Sequence, residues 1–253
     1  YDSLVPIIKA NGQEDLLYNI EMPVSFVLAD MQIAGFKLNR EGLAEFSEKL
    51  DKRLAYRQKN IYDYAECEFN INSTKQLAEV LFEKLELPAQ KKTKSGYSTN
   101  AEVLEGLAAD YPVVAKILEY RTYAKLKSTY CDGLLKVICD DGRIRSTLNQ
   151  TETRTGRISS AEPNLQNIPV RTEQGRELRK FFVAKEGYAL VDADYSQIEL
   201  RVLAAMANDQ TMIDGFASGE DIHRITASQV FGVPLEDVTP HMRSSAKAVN
   251  FGI

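Results

Sequence analysis

A long stretch with helical periodicity, residues 39–64, is the feature that most constrains what this chain can fold into. Its apolar residues recur at helical spacing among many charges: Leu43, Phe46, Leu50, Leu54 and Ile61. This pattern predicts one long amphipathic helix that buries an apolar stripe and exposes its polar face. The fold must therefore supply packing partners along the whole of that stripe.

More helices are predicted on both sides of this one. A helix that enters at Met22-Pro23, with apolar residues in helical register, is expected to end at Gly35. Ser73 or Thr74 can cap a further helix through Leu85, and residues 111–135 form another long one. The first 22 residues carry no clear element, and residues 91–98, which include KKTKSG, predict a mobile basic loop.

The pattern changes after Gly133. Residues 134–139 and 143–148 are short strand-like runs joined by Asp140-Asp141-Gly142, which is a hairpin signal, so we expect a domain boundary here. Residues 149–170 are polar, contain prolines and lack periodicity, and loops of that length within domains tend to be functional.

The last third of the chain is predicted to contain one strand and several helices. Residues 188–192 read as a strand, and residues 197–207 continue directly as a helix whose buried side is expected to hold Ile198, Leu200, Val202 and Leu203. Helices follow at residues 209–217, at residues 221–231 and from Pro240 onward. The order of elements predicts an α+β protein with at least two domains.

Composition narrows the class of protein. With 44% hydrophobic and 26% charged residues the chain is typical of folded globular proteins. It has no run near the roughly 18 apolar residues that span a bilayer and no signal-type N-terminus, so we expect a soluble, intracellular protein. The three cysteines, Cys67, Cys131 and Cys139, lack CxxC spacing and are expected to be reduced and structural.

Charge is distributed unevenly along the chain. Residues 116–180 hold 13 Lys and Arg against 8 Asp and Glu, whereas residues 183–240 hold 3 against 10. A basic surface beside an acidic pocket would suit a protein that grips a polyanion and collects divalent metal ions. Two ordinary solvated faces would show the same asymmetry.

Paired carboxylates stand at the junction between the predicted strand and the helix at residues 197–207. Asp192 and Asp194 could point the same way, since alternate residues of a strand share a face. Carboxylates at the end of a buried strand must be solvated, paired or metal-bound, and Mg²⁺ uses one or two of them together with substrate phosphates. The alternative interpretation is that one of them caps the helix.

A cationic and aromatic stripe lies on the last predicted helix. Arg243, Lys247 and Phe251 recur every four residues and could hold a triphosphate and stack on a base. A solvated cationic face, with Phe251 turned to the core, is the alternative. His223, which follows Asp221 near a helix start, could donate to a phosphate oxygen or be structural.

Arginines and amides cluster in the aperiodic segment. Arg154, Arg157 and Arg171 lie around the sequence NLQN at residues 164–167. Such side chains suit hydrogen bonds to phosphates, sugars and groove edges of nucleic acid, although an ordinary polar loop would look similar.

Four segments taken together resemble family A DNA polymerases of the bacterial DNA polymerase I type. They are TRTGRISSAEPNLQNIPVR at residues 153–171, DYSQIELR at 194–201, DIHRITASQVFG at 221–232 and RSSAKAVNFGI at 243–253. Their order and approximate spacing agree with the family. STKQLAEVLFEKL and LEYRTYAKLKSTY are in addition similar to the family's thumb, so the resemblance runs from about Glu21 to the end.

The resemblance implies a right-hand polymerase fold with a mostly helical thumb, an incomplete antiparallel-sheet palm and the first helices of the fingers. By this resemblance residues 1–22 are a linker from a preceding exonuclease-like region, residues 23–132 the thumb, residues 133–208 the N-terminal part of the palm and residues 209–253 the start of the fingers.

The resemblance also assigns roles to single residues at the reaction centre. Asp194 is implied to bind a metal ion together with the backbone carbonyl of Tyr195, so helix capping is not the role implied for Asp194. Asp192 is implied to be a bystander. Glu199 is implied to lie under the incoming sugar and disfavour a 2′-hydroxyl, with Gln197 close to it. The remaining residues implied to contact the nucleotide are His223, Arg243, Lys247 and Phe251.

The implied partners are primer–template DNA and deoxynucleoside triphosphates, and the implied cofactor is Mg²⁺, with two ions in the complete enzyme. The resemblance assigns DNA contacts in the polar segment to Arg157, Asn167 and Arg171, and in the thumb to Ser73, Thr74, Lys75 and Lys127. The implied reaction is template-directed transfer of a nucleotide to a primer 3′-hydroxyl by two-metal catalysis.

The chain ends at Ile253, before the segments that supply a Tyr-Gly pair and the second metal carboxylate in the family. We therefore expect this polypeptide alone to be inactive and more prone to self-association than its monomeric parent, which is expected to act in the bacterial cytoplasm at the nucleoid. Two alternatives remain, a non-catalytic duplex-binding module and a single-subunit RNA polymerase. Glu199 argues against the latter because its bulk should exclude ribonucleotides.

Overall fold

The computed structural model of the chain describes residues 1–89, 92–93, 96–170 and 172–251, and only the backbone of residues 92, 93, 250 and 251. The chain divides into two compact units, Tyr1–Leu190 and Val191–Ile253. Both are mainly helical, and the sheets in the described residues are small and antiparallel. The predicted α+β class is therefore confirmed.

The first unit is built from helices of very different lengths. Its α-helices are α1 Val5–Ala10, α2 Met22–Ala34, α3 Arg40–Ala65, α4 Thr74–Ala78, α5 Ala101–Ala108, α6 Pro112–Lys125, α7 Gly133–Val137 and α8 Glu173–Arg179. Wider, π-helical segments adjoin some of these helices: Leu16–Glu21 precedes α2, Glu79–Lys84 follows α4, and Leu126–Asp132 joins α6 to α7. The chain therefore runs without a break in helical structure from α6 to α7.

Short strands complete the first unit. They are β1 Phe36–Leu38, β2 Lys92–Thr93, β3 Gly96–Tyr97, β4 Arg143–Ile144, β5 Thr147–Asn149, β6 Ser159–Ala161 and β7 Phe182–Val183. Strand β1 lies between β4 and β7, with Phe36 opposite Ile144 and Lys37 opposite Val183. Strands β2 and β3 form one hairpin, and β5 pairs with β6 in another.

Helix α3 connects two hydrophobic clusters of the first unit. Its N-terminal half buries Leu43 and Phe46 against Tyr130, Ile144 and other residues of one cluster. Its C-terminal half buries Ile61 in the other, with residues of α5 and α6. The amphipathic stripe of the sequence is thus covered along its length, and the N-cap is the side chain of Asn39, which accepts from the Gly42 N–H.

The second unit consists of four helices and a short 3₁₀ turn, Leu235–Asp237, among its described residues. The helices are α9 Ile198–Ala207, α10 Gln210–Ala217, α11 Ile222–Phe231 and α12 Pro240–Phe251. Asp209 and Asp221 cap α10 and α11 through their side chains, at the predicted starts of these helices.

Local signals predicted most helix ends correctly. Gly35 ends α2 in a left-handed conformation with φ 56°, where a Cβ atom would lie 2.5 Å from the Ile144 carbonyl oxygen. Ser73 caps α4. Helix α2 begins at Met22 with Pro23 in its first turn, as predicted. The prediction that the first 22 residues carry no clear element is wrong, because α1 begins at Val5 and a π-helical segment that begins at Leu16 runs into α2. Neither of these two early helical segments buries a side chain, so neither needs the apolar stripe by which a helix is recognised in a sequence.

Two predicted strands are absent from the structure. Residues 134–137 instead continue the long helix, and Leu134 faces the core. Residues 188–192 have no regular structure. The predicted strand at residues 143–148 is two strands, β4 and β5, which lie in different sheets. Residues 149–170 are not only a loop, because they contain β6, which pairs with β5.

The predicted buried side of α9 is also wrong in part. Leu200 is buried there together with Ala204, whereas Ile198, Val202 and Leu203 are exposed. The predicted loop at 91–98 lies partly outside the described residues. In the part of the chain that the structure describes, no helix is long and apolar enough to cross a membrane.

Candidate functional site

Helices α11 and α12 are joined by an ion pair between Asp221 and Arg243. The Nε atom of Arg243 donates to Oδ2 of Asp221 at 2.6 Å. The other carboxylate oxygen of Asp221 accepts the backbone N–H of His223 at 2.9 Å and caps α11. One carboxylate therefore fixes both the start of α11 and the first turns of α12.

His223 lies at the centre of this arrangement and is buried, with 3% of its surface exposed. Burial lowers the pKa of His223 below its ordinary value. The negative charge of Asp221 opposes this shift, while the positive charges of Arg243 and Lys247 add to it. The structure thus brings His223, Arg243 and Lys247 together.

The electrostatics of this group favour an anion. Burial would raise the pKa of Asp221, but the hydrogen bond from Arg243 and the N–H of His223 outweigh it and hold the pKa below its ordinary value. Arg243 and Lys247 sit on the same face of α12, one turn apart, and Lys247 is exposed. The side chain of Phe251 lies outside the described residues. The His223, Arg243 and Lys247 side chains can thus offer positive charge and hydrogen-bond donors to phosphate oxygens.

The predicted metal carboxylates lie in the irregular segment before α9. Asp192, Asp194 and Tyr195 are all exposed there. The residue at the N-cap position of α9 is Gln197, which has φ 54° and ψ 41° and makes no side-chain cap. Helix capping by either aspartate, the alternative left open by the sequence, is therefore excluded.

Gln197 is held in a way that is typical of a functional position. A non-glycine residue in the left-handed region stores backbone strain. Its side-chain oxygen Oε1 is buried and has no hydrogen-bond partner among the described residues. Such an acceptor is costly to leave unpaired, so a donor from a bound molecule would relieve that cost. Glu199 follows in the first turn of α9 and is exposed.

The donors of this segment fit part of a site for a hard divalent ion. The Asp194 carboxylate and the backbone carbonyl of Tyr195 are oxygen ligands of the kind that Mg²⁺ prefers. Exposed carboxylates leave room for the substrate phosphates that usually complete such a site. Within the described ranges, no group of three or more His, Cys, Asp or Glu side chains could hold a metal ion.

In the first unit, the predicted DNA-contacting amides line a cleft of about 1360 Å³. The cleft lies between the helical stretch from α6 to α7, including Lys125 and Thr129, and residues 162–170. Asn164, Gln166 and Asn167 line it and are exposed. Arg154 and Arg157 are exposed on the connection between β5 and β6, and Arg171 lies outside the described residues.

The predicted thumb contacts are not gathered in the same place. Thr74 and Lys75 line a second cleft, of about 860 Å³, with Arg121. Ser73 is half-buried, and its hydroxyl caps α4 by accepting from the Gln76 N–H at 3.4 Å. Lys75 lies 3.9 Å from Glu79.

Lys127 is engaged by acidic neighbours. Its ammonium lies 2.7 Å from Asp132 and 3.3 Å from Asp51, and 19% of its side chain is exposed. The hydrogen bond to Asp132 is the main reason that its pKa is raised. Much of its charge is thus compensated within the protein, which weakens the physical case for a strong phosphate contact.

Two features that hold the candidate site residues in place were not predicted from the sequence. Asp221 was not recognised as the ion-pair partner of Arg243, although an N-cap Asp two residues before the predicted His is a visible signal. The side chains that hold the backbone of residues 164–169 were also missed, because the bonds of Tyr130 and Arg179 span 37 and 11 residues and leave no local pattern. These are chiefly Tyr130, Ser160 and Arg179.

Known proteins share this sequence and fold. Residues 40–253 match the model of DNA polymerase family A. The chain is 50% identical to DNA polymerase I of Caldicellulosiruptor bescii over 254 residues, which is 100% of this chain and 30% of that protein. It is 54% identical to DNA polymerase I of Lactococcus lactis subsp. cremoris over 244 residues, covering 96% of this chain and 28% of that protein.

A solved structure agrees with these matches. The POL domain of Pol1 from M. smegmatis, in complex with DNA primer-template and dNTP, superposes with a TM-score of 0.91 and 40% identity over 99% of this chain and 45% of that one. The chain spans about 30% of the length of the curated relatives described above. The matched residues include the acidic segment, the amide loop and the cationic group of α11 and α12, and the chain belongs to DNA polymerase family A.

Proposed function

We propose that this chain takes part in template-directed DNA synthesis, by binding a primer–template duplex and an incoming deoxynucleoside triphosphate. The observation that carries the proposal is the gathering of His223, Arg243 and Lys247 around Asp221 on α11 and α12. A buried imidazole beside two cations is suited to a triphosphate, and the similar Pol1 domain is described as a complex with DNA primer-template and dNTP.

The nucleotide side of the proposed site lies in the second unit. His223, Arg243 and Lys247 bind the triphosphate, and Arg243 and Lys247 neutralise charge that develops during transfer. Phe251 packs on the sugar and base. Gln197 accepts a hydrogen bond at its unpaired Oε1, and Glu199 lies near the sugar and disfavours a 2′-hydroxyl.

Asp194 and the Tyr195 carbonyl hold the divalent ion, which we propose to be Mg²⁺, as one of two. When bound, such ions lower the pKa of the primer 3′-hydroxyl and stabilise the charge of an in-line displacement. The exposed Asp194 carboxylate keeps its oxygens open toward the phosphates of the bound nucleotide. Asp192 remains a bystander.

The residues proposed to contact DNA belong to the first unit. Asn167, which lines the cleft at residues 162–170, contacts the primer–template together with Arg157 and Arg171. Ser73, Thr74, Lys75 and Lys127 contact the duplex from the helical part. In this proposal residues 23–132 are the thumb, residues 133–208 belong to the palm and residues 209–253 to the fingers. The protein acts on DNA in the bacterial cytoplasm, at the nucleoid.

Fluorescence anisotropy with a labelled primer–template that ends in a dideoxynucleotide tests this proposal. The wild-type chain is expected to bind with an affinity that falls steeply as salt rises, because Lys and Arg displace counterions from phosphates. The complementary deoxynucleotide with Mg²⁺ is expected to tighten the complex by about tenfold or more, since it adds a charged ligand to the bound state.

Two matched variants sharpen the test. Asp194→Asn is expected to bind DNA normally and to lose the tightening, whereas Asp192→Asn is expected to retain it. DNA binding that ignores Mg²⁺ and nucleotide in every variant would favour a non-catalytic duplex-binding module instead. Absence of salt-sensitive DNA binding by the wild-type chain would remove the proposal.

A further inference from the structure

Residues 164–169 are irregular in secondary structure but alternate in burial. Asn164, Gln166 and Asn167 are exposed at the cleft, whereas Leu165 and Ile168 are half-buried and pack against the hydrophobic cluster around Tyr130. A loop without ladder hydrogen bonds must take its backbone partners from elsewhere, and those partners decide where its amide side chains point.

Tyr130 supplies one of these partners. It lies in the π-helical segment Leu126–Asp132, is 7% exposed, and donates its hydroxyl to the Asn167 backbone carbonyl at 2.5 Å. Its ring is part of the same cluster as Leu43 and Ile144, so the hydroxyl is held at a fixed place. The bond spans 37 residues of sequence and ties the long helix directly to the loop.

A pair of buried serines holds the other side of the loop. The hydroxyls of Ser146 and Ser160 lie 2.6 Å apart and are both buried. Ser160 accepts the Leu165 N–H at 3.0 Å, and Ser146 donates to the Pro163 carbonyl at 2.8 Å. Each hydroxyl thus serves two partners in a buried site, and loss of either would leave a polar group there unsatisfied.

Arg179 completes the support from α8. Its guanidinium donates to the Ile168 carbonyl at 3.2 Å and to the Pro169 carbonyl at 3.3 Å. The loop backbone is therefore fixed at Leu165, Asn167 and Ile168 by side chains of three separate elements. The amides of Asn164, Gln166 and Asn167 are left at the surface.

We propose that Tyr130 is a positioning residue for primer–template binding. Its buried hydroxyl, with the Ser146–Ser160 pair on the opposite side, holds the loop so that Asn167 meets the duplex without a cost of ordering. Binding groups held in place in advance lose less entropy when the ligand arrives. This inference rests on the proposed function, because it concerns the DNA contact of Asn167.

Tyr130→Phe removes the hydroxyl and keeps the ring in the core. Tyr62→Phe is its matched control, since the Tyr62 hydroxyl also donates to a backbone carbonyl, that of Phe69 at 2.7 Å, but in the other hydrophobic cluster. Tyr130→Phe is expected to raise the Kd for primer–template about fivefold, the effect of one lost hydrogen bond, while Tyr62→Phe leaves it unchanged. The slope of log Kd against log salt should stay the same, because no phosphate contact is removed.

A double-mutant cycle with Asn167→Ala separates positioning from general destabilisation. Tyr130→Phe is expected to have no effect on Kd in the Asn167→Ala background, because the group that it positions is already absent. Ser160→Ala is expected to behave in the same way from the other side of the loop. Faster amide hydrogen exchange at residues 164–168 in both variants, with the rest of the first unit unchanged, is the expected direct sign of a loosened loop.

The outcomes distinguish the inference from the proposed function. Wild-type chain that binds no DNA would overturn both. Normal DNA binding by the wild type with equal Kd values for Tyr130→Phe and Tyr62→Phe would overturn the inference alone. A Tyr130→Phe effect of the same size with and without Asn167 would also overturn it, because the hydroxyl would then act elsewhere.

Discussion

Asp221 and Arg243 form a 2.6 Å ion pair that joins the N-terminus of α11 to the first turns of α12. The same carboxylate caps α11 through the His223 N–H. Because α12 carries Lys247 as well, this pair sets the position of every charged group proposed to bind the triphosphate. Loss of this ion pair should therefore change both the free energy of unfolding and the affinity for nucleotide.

Asp221→Asn tests the ion pair while keeping a good helix cap. The pKa of Asp221 is lowered in the folded chain, so its stabilisation is present above the ordinary carboxyl pKa of 3.8 and is lost as pH falls through the lower folded-state value. Urea unfolding at pH 5 and at pH 3 should therefore show a smaller acid-induced loss of unfolding free energy in Asp221→Asn than in the wild type. Asp237→Asn, an exposed carboxylate of the same unit, should match the wild type, and equal losses in all three proteins would contradict the role of the pair.

His223 should produce a separate pH dependence nearer neutrality. Burial lowers its pKa below the ordinary value of 6.5, so the unfolded chain binds its proton more readily than the folded chain. The free energy of unfolding is therefore expected to fall as pH drops from 7.5 through about 6.5 and below, until the folded-state pKa is passed. His223→Gln should flatten this part of the profile measured by urea denaturation. His241→Gln, which changes an exposed histidine at the start of α12, is the control and should leave the slope as it is.

The sequence correctly predicts local features, such as helix starts, that depend on residues only a few positions apart. Asn39, Ser73, Asp209 and Asp221 are side-chain caps, and each stands just before an apolar helical pattern that the structure confirms. The predicted cap at Ser73 and the predicted starts of the other three helices hold because a cap and its N–H partner are two or three residues apart. The placement of Arg243 and Lys247 on one face of α12 also follows from helical spacing.

The predictions that fail concern segments whose structure is decided by contacts with distant parts of the chain. The apolar run at 134–137 reads as a strand, but it continues a long helix because Leu134 fills the core beside Tyr130. The run at 188–192 has strand composition yet pairs with no strand in the described part of the chain, and composition alone does not provide a partner. The loop supports Tyr130, Ser146 and Arg179 were invisible for the same reason, since each bond spans from 11 to 37 residues.

Glu199→Ala tests the proposed discrimination between sugars. Glu199 is exposed in the first turn of α9, two residues after the strained Gln197, and we propose that it lies near the sugar of the bound nucleotide. Removing its bulk should raise the affinity for a complementary ribonucleotide in the ternary complex by about tenfold and change deoxynucleotide affinity little. The measurement is the tightening of a dideoxy-terminated primer–template complex by each nucleotide with Mg²⁺. Unchanged ribonucleotide rejection in Glu199→Ala would remove the role assigned to Glu199.

Gly175→Ala is expected to destabilise the chain even though alanine favours helices. Gly175 is buried in α8, where a Cβ atom would lie 2.6 Å from Cβ and 2.7 Å from the carbonyl oxygen of Pro169. Those distances are too short for carbon contacts, so Pro169 must move, and overpacking of this kind costs about 1 to 3 kcal/mol. The gain from helix propensity, about 1 kcal/mol, offsets only part of it.

Gly133→Ala provides the opposite result with the same chemical change. Gly133 begins α7 in a helical conformation, and its Cβ would meet only the Ser128 carbonyl oxygen, at 3.5 Å, which is ordinary contact. Its free energy of unfolding in urea is therefore expected to rise by up to about 1 kcal/mol. If Gly175→Ala also raised the free energy of unfolding, the close approach of α8 to Pro169 would not be what limits residue 175. Opposite shifts would show that contact with Pro169, and not helix propensity, decides the effect of a Cβ atom at residue 175.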